Sequence, residues 1–314
     1  HSVDELIKVM KPWYDNYCFA EEEYGKTTMY NSVMVLNFLD KYIRNNYNIP
    51  KNMVESNVRI DYDKVRMLIR HDKEFAHDAS IIQQLVTQGF VTGKLVENFP
   101  AERINDPDNF LSLLFYFGMV TIDGDYKGVT KFIIPNEVVR DLMYTYLLDT
   151  YKENDLTYDS FNKGKLESQL AYDGNYKAYF EFIADSLKRY SSQRDKQKGE
   201  AFVHGFTLAM TSQNQFYRPI SELDNDGGYA DIFLSPLCDI YKDMVDSYII
   251  ELKYCKTNTA DEQLQVLFKE ASAQICRYAN SDIVKESVKT TKLHKLVVIY
   301  RGAEMVMCEE VTEE

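Results

Sequence analysis

The run Ser247-Tyr248-Ile249-Ile250-Glu251-Leu252-Lys253-Tyr254 places two charges in an otherwise apolar stretch. Side chains of a strand alternate between faces, so Glu251 and Lys253 share one face while Leu252 points the other way into a core. Burying charge without a partner is costly, so a carboxylate and an ammonium in such a strand need a reason to be there. Asp231, in Gly228-Tyr229-Ala230-Asp231-Ile232-Phe233-Leu234, supplies one. If the two segments form a hairpin around the polar stretch 236–246, Asp231 falls opposite Glu251. Two adjacent carboxylates repel when ionised unless a cation lies between them. Oxygen ligands with room for water suit Mg²⁺ or Mn²⁺ better than zinc.

Two helical segments bring further candidates. In Gly199-Glu200-Ala201-Phe202-Val203-His204-Gly205-Phe206, Glu200 and His204 lie one turn apart on one face. Glu200 is a third candidate ligand for the metal or its water. His204 reads more readily as a packing residue with one hydrogen bond than as a partner of the site. Downstream, Leu264, Leu267, Phe268, Ala271, Ile275 and Tyr278 form an apolar stripe, and Gln274 lies beside it, where it would help align the site.

These residues must be positioned by an α/β order. Helices are expected over 160–190 and 199–211, strands over 230–234 and 248–254, a helix over 260–279 and a strand over 296–300. The preceding part is mainly helical. Helical spacing appears over 3–10 and over 32–47, where Val33, Leu36, Phe38, Leu39 and Ile43 make the stripe, with a turn at Pro12-Trp13-Tyr14-Asp15-Asn16 between them. Shorter helical patterns cover 60–69 and 80–86. An apolar helix over 109–117 leads into strands over 119–122 and 132–134, joined at Asp123-Gly124, and a last helix over 137–148. That order fits a winged-helix unit and fits equally a helical domain carrying one hairpin. The polar stretch 151–159 breaks the periodicity, so the boundary is placed there, giving domains 1–154 and 155–314.

The strings Ser221-Glu222, Gly227-Gly228-Tyr229-Ala230-Asp231, Tyr248-Ile249-Ile250-Glu251-Leu252-Lys253 and Ala271-x-x-Gln274-Ile275-x-x-Tyr278 resemble the PD-(D/E)XK nuclease superfamily over about residues 155–301. The branch they resemble most is the nuclease domain that follows an AAA-ATPase-like domain in many bacterial proteins. In the N-terminal half, Trp13-Tyr14-Asp15-Asn16-Tyr17-Cys18-Phe19, Tyr30-Asn31-Ser32-Val33 and Ile134-Pro135-Asn136-Glu137-Val138 are similar to the tail and wing of that ATPase region. The resemblance implies a restriction-endonuclease-like α/β domain with a central mixed sheet flanked by helices. It also implies Mg-dependent hydrolysis of nucleic acid, DNA in the first instance. In this family Asp231 and Glu251 would bind the metal, Glu200 would complete its shell, and Lys253 would orient the attacking water or stabilise charge on the phosphate. Relatives often carry Arg where this chain has Tyr229. The alternative is a catalytically silent nuclease-like domain that binds nucleic acid or protein under control of an upstream ATPase domain.

Composition constrains the partners. The chain has 314 residues, 45% of them hydrophobic, which suits two domains because single cores rarely grow past about 250 residues. Its first residue is His1, so a longer parent with an upstream domain is expected. The formal charge of −13 is shared evenly, with 17 basic and 23 acidic side chains in 1–154 and 19 and 26 in 155–314. Neither half is a polycation, which argues against salt-resistant binding to a duplex. The dense basic run is Lys188, Arg189, Arg194, Lys196 and Lys198, a phosphate-backbone contact or a solvated loop. Gly25-Lys26-Thr27 ends like a Walker loop, but Ala20 and the acids Glu21, Glu22 and Glu23 oppose phosphate there. His71 and His77 are six apart, off one helical face, and read as surface. Five scattered cysteines without a Cys-x-x-Cys pair read as reduced thiols of a cytoplasmic protein. No apolar run approaches the roughly 18 residues of a membrane span.

Overall fold

Ser2 starts the first helix, α1 (Val3–Tyr14): its hydroxyl accepts the Glu5 N–H while the Glu5 carboxylate accepts the Ser2 N–H. The expected turn at 12–16 begins later than the sequence suggests. Pro12 lies inside the last turn, where it forfeits a single backbone bond, and the buried Tyr14 ring secures the helix end by donating its hydroxyl to the Met53 carbonyl at 2.8 Å. The computed structural model describes residues 1–50, 52–54, 75–96, 103, 106–192, 199–221 and 231–312, in two compact units, His1–Tyr146 and Leu147–Glu314.

In the first unit α2 (Ser32–Arg44) is capped by Asn31, whose side chain accepts the Met34 N–H. Its buried stripe is Met34, Phe38 and Tyr42, whereas Val33, Leu36 and Ile43 of the expected stripe are exposed. The aromatic rings decide the face: Phe38 stacks on Tyr42 and meets Tyr14 edge-on, burying more apolar area than the aliphatic side chains would. Helix α3 (Phe75–Gln88) contains the expected segment 80–86, while 60–69 lies outside the described residues. Strand β1 (Phe90–Thr92) precedes α4 (Phe110–Tyr116), and with β2 (Thr121–Tyr126) and β3 (Val129–Ile133), which follow it, forms an antiparallel sheet in the order β1-β3-β2. The hairpin turns at Lys127-Gly128, not at Asp123-Gly124. Both Lys127 and Gly128 have positive φ, 55° and 84°, as a two-residue hairpin turn requires. Gly124, φ 82°, sits instead at an irregularity of the β2–β3 ladder.

Helix α5 (Glu137–Glu153) is longer than expected and runs across the division between the units. The polar character of 151–159 is misleading at its first residue. Tyr151 is buried among Tyr190, Phe202 and Phe206, so the helix continues past the expected end.

The second unit is a mixed five-stranded sheet flanked by helices, a mixed α+β arrangement consistent with a restriction-endonuclease-like domain. Its strands β4 (Tyr217–Ser221), β5 (Ile232–Pro236), β6 (Asp246–Cys255), β7 (Lys292–Arg301) and β8 (Glu304–Glu310) lie in sequence order. Only β6 and β7 pair in parallel. The connection between them holds α9 (Asp261–Ala279) and α10 (Asp282–Val288). On that side Phe233 and Ile249 pack on Ile275, Tyr278 and Val284, and Val297 and Ile299 pack on Leu264 and Ala271. Side chains of the other parity are covered by the remaining helices α6 (Ser160–Tyr172), α7 (Tyr176–Ser192) and α8 (Glu200–Ser212). Tyr248, for example, donates its hydroxyl to the Leu170 carbonyl of α6 at 2.7 Å. The expected single helical run 160–190 is two helices, divided at Gly174 with φ 65°. Among the described residues no helix is long and apolar enough to cross a membrane, and all five cysteines are free thiols.

Candidate active site

The site stands just before the start of β5, where β6 runs on with β7 as its remaining partner. The two strands pair antiparallel with Ile232 opposite Ile250, and one step further along this register Asp231 stands opposite Glu251. The expected hairpin therefore has the expected register. Both faces of β6 are covered, which changes the setting of Glu251: it lies on the side that packs under α9, in step with Ile249, and is only 2% exposed. Lys253, next on that side and half-buried, donates from Nζ to Glu251 Oε1 at 2.8 Å. The second carboxylate oxygen, Oε2, is buried and has no hydrogen-bond partner.

Asp231 is held through its carboxylate and through its main chain, whose N–H also favours the ionised form of Glu251. Its Oδ2 accepts the Leu252 backbone N–H at 2.6 Å, capping a donor of β6 that β5 no longer reaches. Its carbonyl oxygen lies 2.9 Å from Nε2 of His204. A carbonyl only accepts, so this nitrogen carries a proton and donates.

Burial sets the protonation of this pair. It pushes Glu251 up to about 7, reinforced by the charge of Asp231 and opposed by the Lys253 hydrogen bond. Asp231 is also raised, by burial, with His204, the Leu252 N–H and Lys253 pulling the other way. For Lys253 burial works against the charged form, but the bond to Glu251 and the charges of Glu251, Asp231 and Glu200 outweigh it, so its pKa is raised and it remains an ammonium. Two carboxylates thus share one cation. The arrangement is short of positive charge when both ionise.

Glu200 is exposed at the start of α8 and acts on Lys253 through its field. Gln274 is half-buried on α9, one turn before Tyr278, and no bond joins it to the acids. Among the described residues no three His, Cys, Asp or Glu side chains form a group that could hold a metal ion by themselves. The structure therefore brings Asp231, Glu251 and Lys253 together, and sets Glu200 and Gln274 around them without direct contact to the acid pair. Two residues gain importance that the sequence did not give them. His204 is a buried residue with one hydrogen bond, as expected, and that bond falls on the main chain of Asp231. Tyr278 is raised by burial and then by the charges of Glu251 and Asp231, so its hydroxyl lies within their field. In the sequence Tyr278 stands as part of the apolar stripe and of the string Ala271-x-x-Gln274-Ile275-x-x-Tyr278, without a role of its own.

The donor chemistry fits a hard divalent cation. Asp231 and Glu251 each spend one oxygen on the protein, and the buried Oε2 of Glu251 is the kind of orphan atom that a cation satisfies.

Two residues of the basic run are described, and both are engaged within the protein. Lys188 donates to Glu304 at 2.9 Å and Arg189 donates from Nε to the Asp185 carbonyl, while Arg194, Lys196 and Lys198 lie outside the described residues. Tyr229 and His71 also lie outside them, as does the side chain of His77. Lys26 pairs with Glu23 at 3.4 Å on the surface.

No curated protein and no solved structure matches the chain. A family model does: residues 198–310, from the start of α8 through β8, match the PD-(D/E)XK nuclease superfamily, which supports a nuclease-superfamily domain in this part of the chain.

Proposed function

We propose that this protein hydrolyses phosphodiester bonds of nucleic acid, DNA in the first instance, at a site where Asp231 and Glu251 hold Mg²⁺ or Mn²⁺. The observation that carries the reading is the unpartnered, buried Oε2 of Glu251 beside Asp231, inside the segment that matches the nuclease superfamily. When bound, the cation supplies Lewis acidity that polarises a phosphoryl oxygen and makes water more acidic. Asp231, fixed by the Leu252 N–H, offers its other oxygen as a ligand of constant orientation. Glu251 offers Oε2 and keeps Oε1 on Lys253. The Lys253 ammonium neutralises charge that develops on the phosphate or orients the attacking water. Glu200, at the exposed mouth of this cluster, completes the ligand set, and Gln274 aligns the reacting groups.

The N-terminal residues 1–154, with the three-stranded sheet as a winged-helix wing, serve as a positioning module that descends from an ATPase region, and an upstream ATPase domain is its partner. The nuclease domain, expected over 155–314, takes in the end of α5 with Tyr151 as well. The test is cleavage of plasmid and of single-stranded DNA by purified protein with Mg²⁺ or Mn²⁺. Asp231→Ala and Glu251→Ala abolish cleavage on this reading; equal cleavage by wild type and both variants contradicts it. Absence of cleavage together with no Mn²⁺-dependent rise in melting temperature would assign the silent binding module instead.

A further inference from the structure

We infer that His204 is a positioning residue that fixes Asp231 for cation binding by holding its main-chain carbonyl. This rests on the reading of Asp231 and Glu251 as a cation-binding pair. Asp231 lies just beyond the last register pairs of β5 with both neighbours, Ser221 with Ile232 and Ile232 with Ile250. Its backbone is therefore outside the ladders that hold the rest of the strand. A carbonyl in that position needs a donor from elsewhere. His204 provides it from α8, with Nε2 at 2.9 Å and a side chain only 7% exposed. The buried helix behind it, from Phe202 to Ser212, leaves the ring little freedom.

The consequence is that main chain and carboxylate of Asp231 are held separately, the backbone N–H of Asp231 also facing the Glu251 carboxylate. His204 fixes the main chain of Asp231 and the Leu252 N–H fixes its carboxylate at 2.6 Å. Either contact alone leaves the side chain a rotation, and both together set where the remaining carboxylate oxygen lies. Groups that orient a metal ligand without touching the metal contribute strongly to affinity. A packing histidine with one hydrogen bond could spend it on any nearby acceptor; this one spends it on the main chain of a residue whose carboxylate faces the site.

The distinction can be tested with two substitutions in the full chain. Glutamine places an amide N–H about where Nε2 stands, while leucine fills the space without a donor. In the metal-free protein, amide hydrogen exchange at Leu252 is expected to quicken about ten-fold in His204→Leu and to return within about two-fold of wild type in His204→Gln, with Tyr248 and Ile250 unchanged in both. Equal protection of Leu252 in all three proteins overturns the proposal. So does faster exchange along the whole of β6, which would make His204 a packing residue only. In calorimetry on the same proteins Mn²⁺ affinity falls about ten-fold or more in His204→Leu and recovers in His204→Gln. Unchanged Mn²⁺ affinity in His204→Leu overturns the link to cation binding. Wild type that takes up no Mn²⁺ contradicts the cation reading itself, while the Leu252 exchange still decides whether His204 holds Asp231.

Discussion

At neutral pH and without metal, Glu251 is poised between its charged and neutral forms, because burial and Asp231 raise it from 4.5 to about 7. Its unfolded counterpart ionises near the ordinary carboxylate value. Between those two values the folded state binds more protons than the unfolded one, so stability falls as pH rises from about 4.5 through about 7, and the full cost is present above that. Thermal melting of metal-free protein between pH 4.5 and 8.5 should show this decline, and Glu251→Gln, which cannot ionise, should flatten it. A melting profile of wild type that rises across this window contradicts the assignment. Lys253→Met separates charge from binding. It is expected to lower kcat by about 10²-fold or more through loss of charge stabilisation while the protein still binds Mn²⁺. Unimpaired kcat in Lys253→Met would remove Lys253 from the chemistry.

At the scale of elements, the two-residue turn at Lys127-Gly128 and the aromatic stripe of α2 yield stability predictions. Gly128 has φ 84° and open space around its missing Cβ, so Gly128→Ala should cost about 1–2 kcal/mol in urea denaturation through backbone strain alone. Phe38→Ala should cost about 3–5 kcal/mol, whereas Leu36→Ala, at an exposed position, should change stability by less than about 0.5 kcal/mol. The same comparison shows which elements were legible. The β5–β6 register could be read because alternation and a central polar stretch fix which residues face each other, and this brought Asp231 to Glu251. The helical period of α2 was equally plain, but period does not choose a face when apolar residues surround the helix, and ring packing made the choice. Strands β4 and β8 escaped the reading because edge strands such as Tyr217–Ser221 and Glu304–Glu310 mix polar and apolar residues without clean alternation. Gly124 escaped because Asp-Gly is the stronger turn signal in sequence, while the ladder placed its irregularity there and the turn at Lys127-Gly128. Within the site, the acids and lysine were legible from strand parity. The hold on Asp231 by His204 was not, since a main-chain contact leaves no mark on residue type.

For the whole molecule, the division into His1–Tyr146 and Leu147–Glu314 bears on how the nuclease-like part can be isolated. Tyr151 packs on Tyr190, Phe202 and Phe206, so a fragment starting at 155 loses a core ring of its own unit. A fragment 137–314 should melt cooperatively, and one of 155–314 should be less stable by about 3–5 kcal/mol. Equal melting of the two would show that Tyr151 does not belong to that core. The acidity of the chain, −13 overall, also means that the cation has more to neutralise than the phosphate of a substrate. The carboxylates of Asp231 and Glu251 are the part of that charge which matters most for chemistry. Calorimetry of Mn²⁺ binding at pH 7, repeated in buffers of different ionisation enthalpy, tests their shared use of one ion most directly. Wild type should bind with net proton release, because the proton on Glu251 must leave, and Asp231→Ala should bind at least about ten-fold more weakly. Identical Mn²⁺ heats for wild type and Asp231→Ala, or no binding to wild type at all, would contradict the account.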